Sequence, residues 1–319
     1  MNNGGSDTGV ITVAITCYNE GHLLLRAISS LDLQTDLDFD TLVICDASED
    51  PETLATCEEL KPRPRTRVVF RTSRGGLSAA RNTAFELVDP GMVAFLDADD
   101  VFPATSVADI RRAWRRRPTS EFVFGDFIMH KVDEGRDVLI KTDKLIGVDG
   151  CFNPEPLTHF WCLHGSSPCH TSLWRRIGGY RAEYSFGHQD MDFWMRAFVA
   201  GAQGVYANAV IYEWFRSPHG MNCKAPGDRQ YRIMEANILF YDRFGNASGA
   251  RYAILRAYLL RGEYAAARPV SRSLFANRRT PWWARLVQTL PPRLTGIMFQ
   301  TAHITYMAGK RLFERHSES

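Results

Sequence analysis

Two aspartates, Asp97 and Asp99, follow a short apolar run that reads MVAFL from Met92 to Leu96. In an extended strand, residues two apart share a face, so both carboxylates point the same way. Like charges held that close repel each other unless a cation lies between them. A hard divalent ion suits the place: Mg²⁺ or Mn²⁺ takes one or two protein carboxylates together with phosphate oxygens. An ion there would act as a Lewis acid on a departing diphosphate. An Asp-rich turn capping the next helix has the same composition, so the pair acquires meaning only from its neighbours.

Three further polar groups end apolar runs of the same kind. VITVAIT (10–16) leads into Thr16-Cys17-Tyr18-Asn19-Glu20, and TLVIC (41–45) into Asp46-Ala47-Ser48. TRVVFR (66–71) precedes Arg74-Gly75-Gly76-Leu77-Ser78-Ala79-Ala80-Arg81-Asn82. Such short β-rich runs fit buried strands of a parallel sheet. Leu24, Ala27, Ile28 and Leu31 recur at helical spacing between them, as do Leu77, Ala80, Ala84 and Leu87. The alternation predicts an α/β fold with a doubly wound, mostly parallel sheet, whose ligands bind beyond the carboxyl ends of the strands. One aromatic with hydrogen-bonding neighbours, one carboxylate, one Gly-rich turn with an Arg and one acidic cluster could together hold a base, a ribose, a diphosphate and a metal.

VITVAITCYNE at 10–20, GLSAARN at 76–82 and AFLDADD at 94–100 resemble, in order and spacing, the opening half of family 2 glycosyltransferases of the GT-A fold. Gly178-Gly179-Tyr180 followed by HQDMDFWMR (188–196) resembles the stretch that supplies that family's catalytic base. The resemblance covers most of residues 10–222. It implies a GT-A catalytic domain over 1–224, a nucleotide-sugar donor, usually a UDP-sugar, and inversion at the anomeric carbon. On that reading Thr16, Tyr18, Asn19, Glu20, Asp46, Gly76, Arg81, Asn82, Asp97 and Ala98 surround the donor, with Asp46 contacting uracil. YEWFRSPHGMN (212–222) resembles the segment that closes over the diphosphate, where His219 would join Asp97 and Asp99 on Mn²⁺ or Mg²⁺ and Arg216 would touch a phosphate. Asp190 would take the proton of the acceptor hydroxyl. The competing reading of Asp190 is a helix N-cap, because Met191, Trp194, Met195 and Phe198 form an apolar stripe behind it. Asp192, which diverges from Asp190 on a helix, is expected to be structural.

The match has departures. Cys45 stands where the family commonly has an acid, Cys17 where Thr or Ser is common, and Gln189 replaces the Glu that usually precedes the base. The QxxRW signature of processive members is absent, which favours a non-processive enzyme. The acceptor that the resemblance implies is a surface polysaccharide or glycolipid, that is, a saccharide or lipid-linked molecule. Two rivals remain. A nucleotidyltransferase would want a Gly-rich loop with a basic residue after the first strand, where this chain has Thr16-Cys17-Tyr18-Asn19. A non-catalytic nucleotide-sugar binding module draws some weight from Gln189.

The 319 residues suggest two domains or one domain with a large extension. Residues 225–319 carry 15 Lys/Arg against 6 Asp/Glu, leaving 23 against 30 in residues 1–224. An acidic catalytic part is thus followed by a basic C-terminal extension that reads as helical. Arg251 to Asn277 predicts a helical hairpin turning at Arg261-Gly262-Glu263. Trp282, Trp283 and the stretch Leu294 to Phe313 suggest an interfacial helix giving peripheral membrane contact; a helix packed on the catalytic domain reads equally well. No nucleic-acid module is visible. Neither a secretory signal nor a spanning apolar run is seen, so a cytoplasmic location, peripheral at the inner face of the membrane, is expected. Seven cysteines read as scattered, without a paired framework, and are expected to stay reduced. His159, Cys162, His164, Cys169 and His170 fit no common zinc spacing and read as an acceptor-side loop.

Overall fold

The structure, a computed structural model, describes residues 10–218, 220–221, 227–276 and 282–291. The chain divides into two compact units between Pro226 and Gly227.

The first unit is built on one eight-stranded sheet. Its strands are β1 (Ile11–Cys17), β2 (Asp40–Cys45), β3 (Thr66–Phe70), β4 (Met92–Asp97), β5 (Phe122–Lys131), β6 (Arg136–Ile140), β7 (Cys169–His170) and β8 (Gly204–Arg216). They lie in the order β3-β2-β1-β4-β7-β5-β6, with β8 also on β5. β1 to β4 run parallel, and so do β5 and β8, while β7 and β6 are antiparallel to their neighbours. The expected parallel half is therefore present, extended by an antiparallel piece that the apolar runs did not reveal.

All of β1 is buried, because helices cover both faces of the sheet. Ile11, Val13, Ile15 and Cys17 pack with residues of α1 (His22–Asp32), α2 (Pro51–Leu60) and α4 (Ser106–Arg116). The alternate residues face α3 (Gly76–Leu87) and an aromatic layer in which Phe85 lies against Phe95 and Trp174. Successive side chains of a strand point to opposite faces, so Thr16 and Cys17 serve opposite layers. α1 buries Leu24, Ala27, Ile28 and Leu31 as its spacing predicts. α3 differs: Leu77 and Leu87 are only half-buried, and the inward face carries Ser78, Ala80, Arg81, Ala84 and Phe85. The helix is turned to bring Arg81 to a carboxylate at the end of β4.

α5 (Thr171–Ile177) stops at Gly178, in the left-handed region at φ 77°, and Gly179 follows at φ 70°. Any side chain at Gly179 would collide with Trp174 and Asn82. α6 (Gln189–Val199) buries the expected stripe of Met191, Trp194, Met195 and Phe198. Its N-cap is His188, at φ 57°, so Asp190 lies inside the first turn and is not the cap.

The second unit consists of helices at Arg229–Ala236, Ile238–Phe244, Ala247–Leu260, Tyr264–Phe275 and Trp282–Thr289. The expected hairpin is there, turning at Gly262 with φ 75°. Its core is Ile254, Leu255, Tyr258, Leu259, Ala267, Leu274 and Val287. No described helix is long and apolar enough to cross a membrane. Trp282 is 71% exposed; Leu294 to Phe313, the rest of the proposed interfacial stretch, lies outside the described residues.

Asn82 ties α3 to the Gly178-Gly179-Tyr180 turn. Its Oδ1 accepts from Trp174 Nε1 at 2.9 Å and from Tyr180 N at 2.8 Å, and its Nδ2 donates to Tyr180 O at 2.8 Å. Asn82→Ala leaves those groups unpaired, which should cost about 2–3 kcal/mol. Urea unfolding is the measurement: a lower midpoint at unchanged m-value is expected.

Candidate active site

The last residue of β4, Asp97, is the register partner of Thr16 on β1. Its carboxylate accepts from Thr16 Oγ1 at 3.2 Å, from Arg81 Nη2 at 3.1 Å to each oxygen, and from Ser166 Oγ at 3.3 Å. Arg81 Nη2 also donates to Ser166 Oγ at 2.7 Å. Burial opposes the Arg81 charge, yet Asp97, Tyr180 and Asp190 together more than offset it and keep the guanidinium ionised. Arg81 Nε and Nη1 have no hydrogen-bond partner among the described residues. The main-chain N–H of Asp97 donates to Tyr212 Oη at 3.1 Å, and Tyr212 donates to Asp100 at 2.8 Å. Asp100 also accepts from Phe215 N at 2.8 Å, so β8 braces the acidic turn.

Asp99 is different. Among the described residues no basic side chain pairs with its carboxylate; the nearby Arg26 bonds its main-chain carbonyl instead. Burial, and then the charge of Asp97, push Asp99 up to about 6. Glu20 accepts from the N–H of Tyr18, but burial, aided by Asp99 and Asp97, raises it to about 8. Asp100 is raised too, by burial first and then by Asp99 and Asp97. The sequence reading paired Asp97 with Asp99 as equals. In the fold Asp97 is neutralised by Arg81, and the uncompensated negative charge lies on Asp99 and Glu20. Two crowded carboxylates that hold protons above their ordinary range fit a divalent cation. His219 lies outside the described residues, and Arg216 is exposed at the end of β8.

On the β1–β2 side, Tyr18 presents its ring with the Arg74 guanidinium 3.9 Å from the centroid. Asp46 is buried; it pairs with Arg71 Nε at 2.7 Å and accepts from Gly75 N at 3.1 Å and Gly76 N at 2.7 Å. Its carboxylate therefore shapes the Gly-rich turn. Gly76 needs its φ of 73°, and a Cβ there would press on Ser185 and Phe186 at 2.9 Å. Asn19, at φ 61°, accepts on Oδ1 from Glu49 N at 2.8 Å and Asp50 N at 3.0 Å. The side chains of Asn19 and Asn82, both expected around the donor, are thus occupied as ties between turns. Ala98 is buried, with its N–H on Thr16 O at 3.3 Å.

Asp190 faces the same centre from α6. It adds to the electrostatic field at Arg81 and Tyr180, and its carboxylate fills the space that a Cβ on Gly165 would need. Asp192 is fully buried and bonded to Arg196 Nε at 2.8 Å and Arg181 Nη1 at 3.2 Å, a structural role as expected. The loop before β7 supplies Ser166, which the sequence does not single out, and His164, which the sequence places only in an acceptor-side loop. Ser166 bridges Arg81 and Asp97, and His164 packs on Tyr212 with ring centroids 3.9 Å apart. Burial lowers His164 to about 3, so it stays neutral, and its Nδ1 accepts from Ser166 N at 3.2 Å. Of the Cys/His stretch at 159–170, no set converges as metal ligands among the described residues. Three cysteines that read as scattered do converge: Cys17, Cys45 and Cys57.

An acidic turn after β4, a Gly-rich turn opening α3 and an aromatic after β1, all at the carboxyl edge of one sheet, define a GT-A fold. The chain matches, over residues 12–164, the family model described as Glycosyl transferase family 2. It is similar to the succinoglycan biosynthesis protein ExoW of Rhizobium meliloti, 43% identical over 98 residues, 29% of this chain and 30% of ExoW. It is also similar to the UDP-Glc:alpha-D-GlcNAc-diphosphoundecaprenol beta-1,3-glucosyltransferase WfgD of Escherichia coli, 26% identical over 38% of this chain and 47% of WfgD. The crystal structure of S. aureus TarS 1-349 in complex with UDP-GlcNAc superposes with a TM-score of 0.67 at 15% identity, covering 94% of this chain and 92% of that one. The chain spans less than half the length of the curated relatives it matches first.

Raised carboxylates set the pH dependence. Between the ordinary carboxylate range and about 8, the folded protein retains protons on Asp99 and Glu20 that the unfolded chain has released. Stability therefore falls as pH rises through that window. The melting temperature of the metal-free protein should drop from about pH 5 to about pH 8, and Asp99→Asn should flatten the slope. Differential scanning fluorimetry across pH reads both; a wild-type curve no steeper than that of the variant contradicts the assignment.

Proposed function

We propose that this chain is a non-processive, inverting glycosyltransferase that moves a sugar from a nucleotide-diphosphate donor, a UDP-sugar, to a hydroxyl of a saccharide or lipid-linked acceptor. One observation carries the reading: the carboxylate of Asp99, with no basic side chain paired to it among the described residues, the Asp97–Arg81–Ser166 network and the Asp190 carboxylate converge beyond the ends of one parallel sheet. The tyrosine ring after β1 offers a face for the base. The unpartnered Nε and Nη1 of Arg81 suit an anion.

Asp99 and Asp97 would hold Mn²⁺ or Mg²⁺, which supplies Lewis-acid neutralisation of the leaving diphosphate. Arg81 fixes the position of the Asp97 carboxylate and places a permanent positive charge where negative charge grows. Asp190 accepts the proton of the acceptor hydroxyl as its oxygen attacks the anomeric carbon from the side opposite the diphosphate. His164, neutral and buried, fills space behind Ser166 and keeps water away from the network.

The UDP-GlcNAc of the TarS complex supports a UDP-sugar donor. The names of ExoW and WfgD support an acceptor in polysaccharide or diphosphoundecaprenol-linked glycan assembly, and with it a place in cell-envelope biosynthesis. Peripheral membrane contact through the basic second unit, where Trp282 is exposed, accords with a lipid-linked acceptor.

A base used only as the acceptor attacks contributes to the transition state and leaves donor binding alone. Asp190→Asn should lower single-turnover rates about a hundred- to ten-thousand-fold with unchanged affinity for UDP and Mn²⁺. Because His188 and not Asp190 caps α6, helix stability should hold. Near-native turnover in the variant would remove Asp190 from the mechanism. A wild-type protein that binds UDP-sugars yet neither transfers nor hydrolyses them would favour a binding module.

Asp99→Ala supplies the complementary result. UDP binding in the presence of Mn²⁺, read by calorimetry, should weaken at least about tenfold, as loss of a cation-bridged phosphate contact requires. The fold should remain, since no basic side chain among the described residues pairs with Asp99's carboxylate. Unchanged, Mn²⁺-dependent UDP affinity would contradict the role given to Asp99.

A further inference from the structure

Cys17 ends β1, Cys45 ends β2 at the same register, and Cys57 sits on α2. Their sulfurs all lie within 4.8 Å of one another, with Cys17 and Cys57 3.8 Å apart. All are buried, at 2%, 0% and 0% exposure. They lie on the sheet face covered by α1 and α2, opposite the layer that holds Thr16, Asp97 and Arg81.

We propose that Cys17, Cys45 and Cys57 form a trithiolate site for a thiophilic cation of the zinc or copper(I) type. The spacing suits it. With a metal–sulfur bond of about 2.3 Å, sulfurs sharing one ion stand about 3.8–4.0 Å apart; Cys17 and Cys57 already stand 3.8 Å apart, and the other pairs, within 4.8 Å, need to close by about 1 Å at most. The donor set also suits it, since soft thiolates select zinc and copper(I) over the hard ions that carboxylates take. The acidic cluster and the thiol cluster therefore do not compete for one metal. Binding releases the thiol protons to solvent and replaces them with the cation.

The site joins three elements that present the nucleotide side. α2 is already docked there: Thr53, one turn before Cys57, accepts from Gly21 N at 2.7 Å, and Asp50 caps the helix through Thr53 N at 2.7 Å. Cys17 is followed by Tyr18, Asn19 and Glu20, and Cys45 by Asp46 and Ser48. A cation bonded to the three sulfurs would pin both turns from beneath and raise the melting temperature.

The probe is Cd²⁺ added to the full chain after reduction and chelator treatment, under anaerobic conditions, with the thiolate-to-cadmium ultraviolet band as readout. Saturation at one equivalent is expected. Cys57→Ser should abolish the band, or weaken binding by more than the roughly ten- to hundredfold that loss of an outer partner costs. Cys162→Ser and Asp99→Ala should leave it intact. Competition of Zn²⁺ and copper(I) against Cd²⁺ then assigns the ion. Absence of the band in the reduced wild type overturns the proposal, and that measurement does not depend on any variant folding. Retention of full affinity in Cys57→Ser also overturns it. So does a reduced protein that takes up no Cd²⁺ but, on exposure to air, forms a Cys17–Cys57 disulfide, which marks the cluster as a redox pair.

Discussion

A guanidinium sealed against a carboxylate at a strand end is the interaction on which the rest of the site depends. Arg81 is almost wholly buried, with the Phe95 and Tyr180 rings 5.0 and 5.6 Å from its guanidinium, and Asp97 is its counter-ion. Removing one member of such a pair leaves a buried charge uncompensated, a loss of about 3–5 kcal/mol. That is a large fraction of the stability of an ordinary domain. The pair therefore does two things at once. It fixes α3 on the sheet at the expense of Leu77 and Leu87, and it leaves the neighbouring Asp99 as the carboxylate with no cation of its own.

Much of this arrangement was legible in the sequence. Strands β1 to β4, their order along the chain, and the polar residues that end them follow from short apolar runs and helical spacing. The acidic turn and the Gly-rich turn announced themselves by composition. What composition does not encode is partnership. Asp46, Asn19 and Asn82 have the right chemistry to touch a nucleotide, and each also accepts from main-chain N–H groups of neighbouring turns. A buried main-chain N–H must find an acceptor, and in tight turns the nearest acceptor is often the polar side chain that looks most functional.

Other features left weaker traces. Ser166 and His164 sit in a loop whose Cys and His residues drew attention as metal ligands, while their part in the network comes from β5, β7 and β8 folding that loop over Arg81. The thiol cluster was invisible for the opposite reason. Cys17, Cys45 and Cys57 are 28 and 12 residues apart along the chain and meet only because β1 and β2 pair in register with α2 lying across them. Spacing rules for metal sites look for ligands close in sequence, and a parallel sheet assembles them from distant segments.

Gly165 has a bearing on evolution within the fold. The Asp190 carboxylate occupies the volume that a methyl at residue 165 would claim, and the Gly165 carbonyl accepts from Trp194 Nε1 at 3.1 Å. The glycine thus works as a spacer of zero length, setting how deeply the acid of α6 reaches into the cleft. One added carbon there would push the carboxylate outward while leaving its charge and its helix untouched. The depth of that carboxylate is adjustable, then, from the opposite wall, by a residue that carries no chemistry of its own.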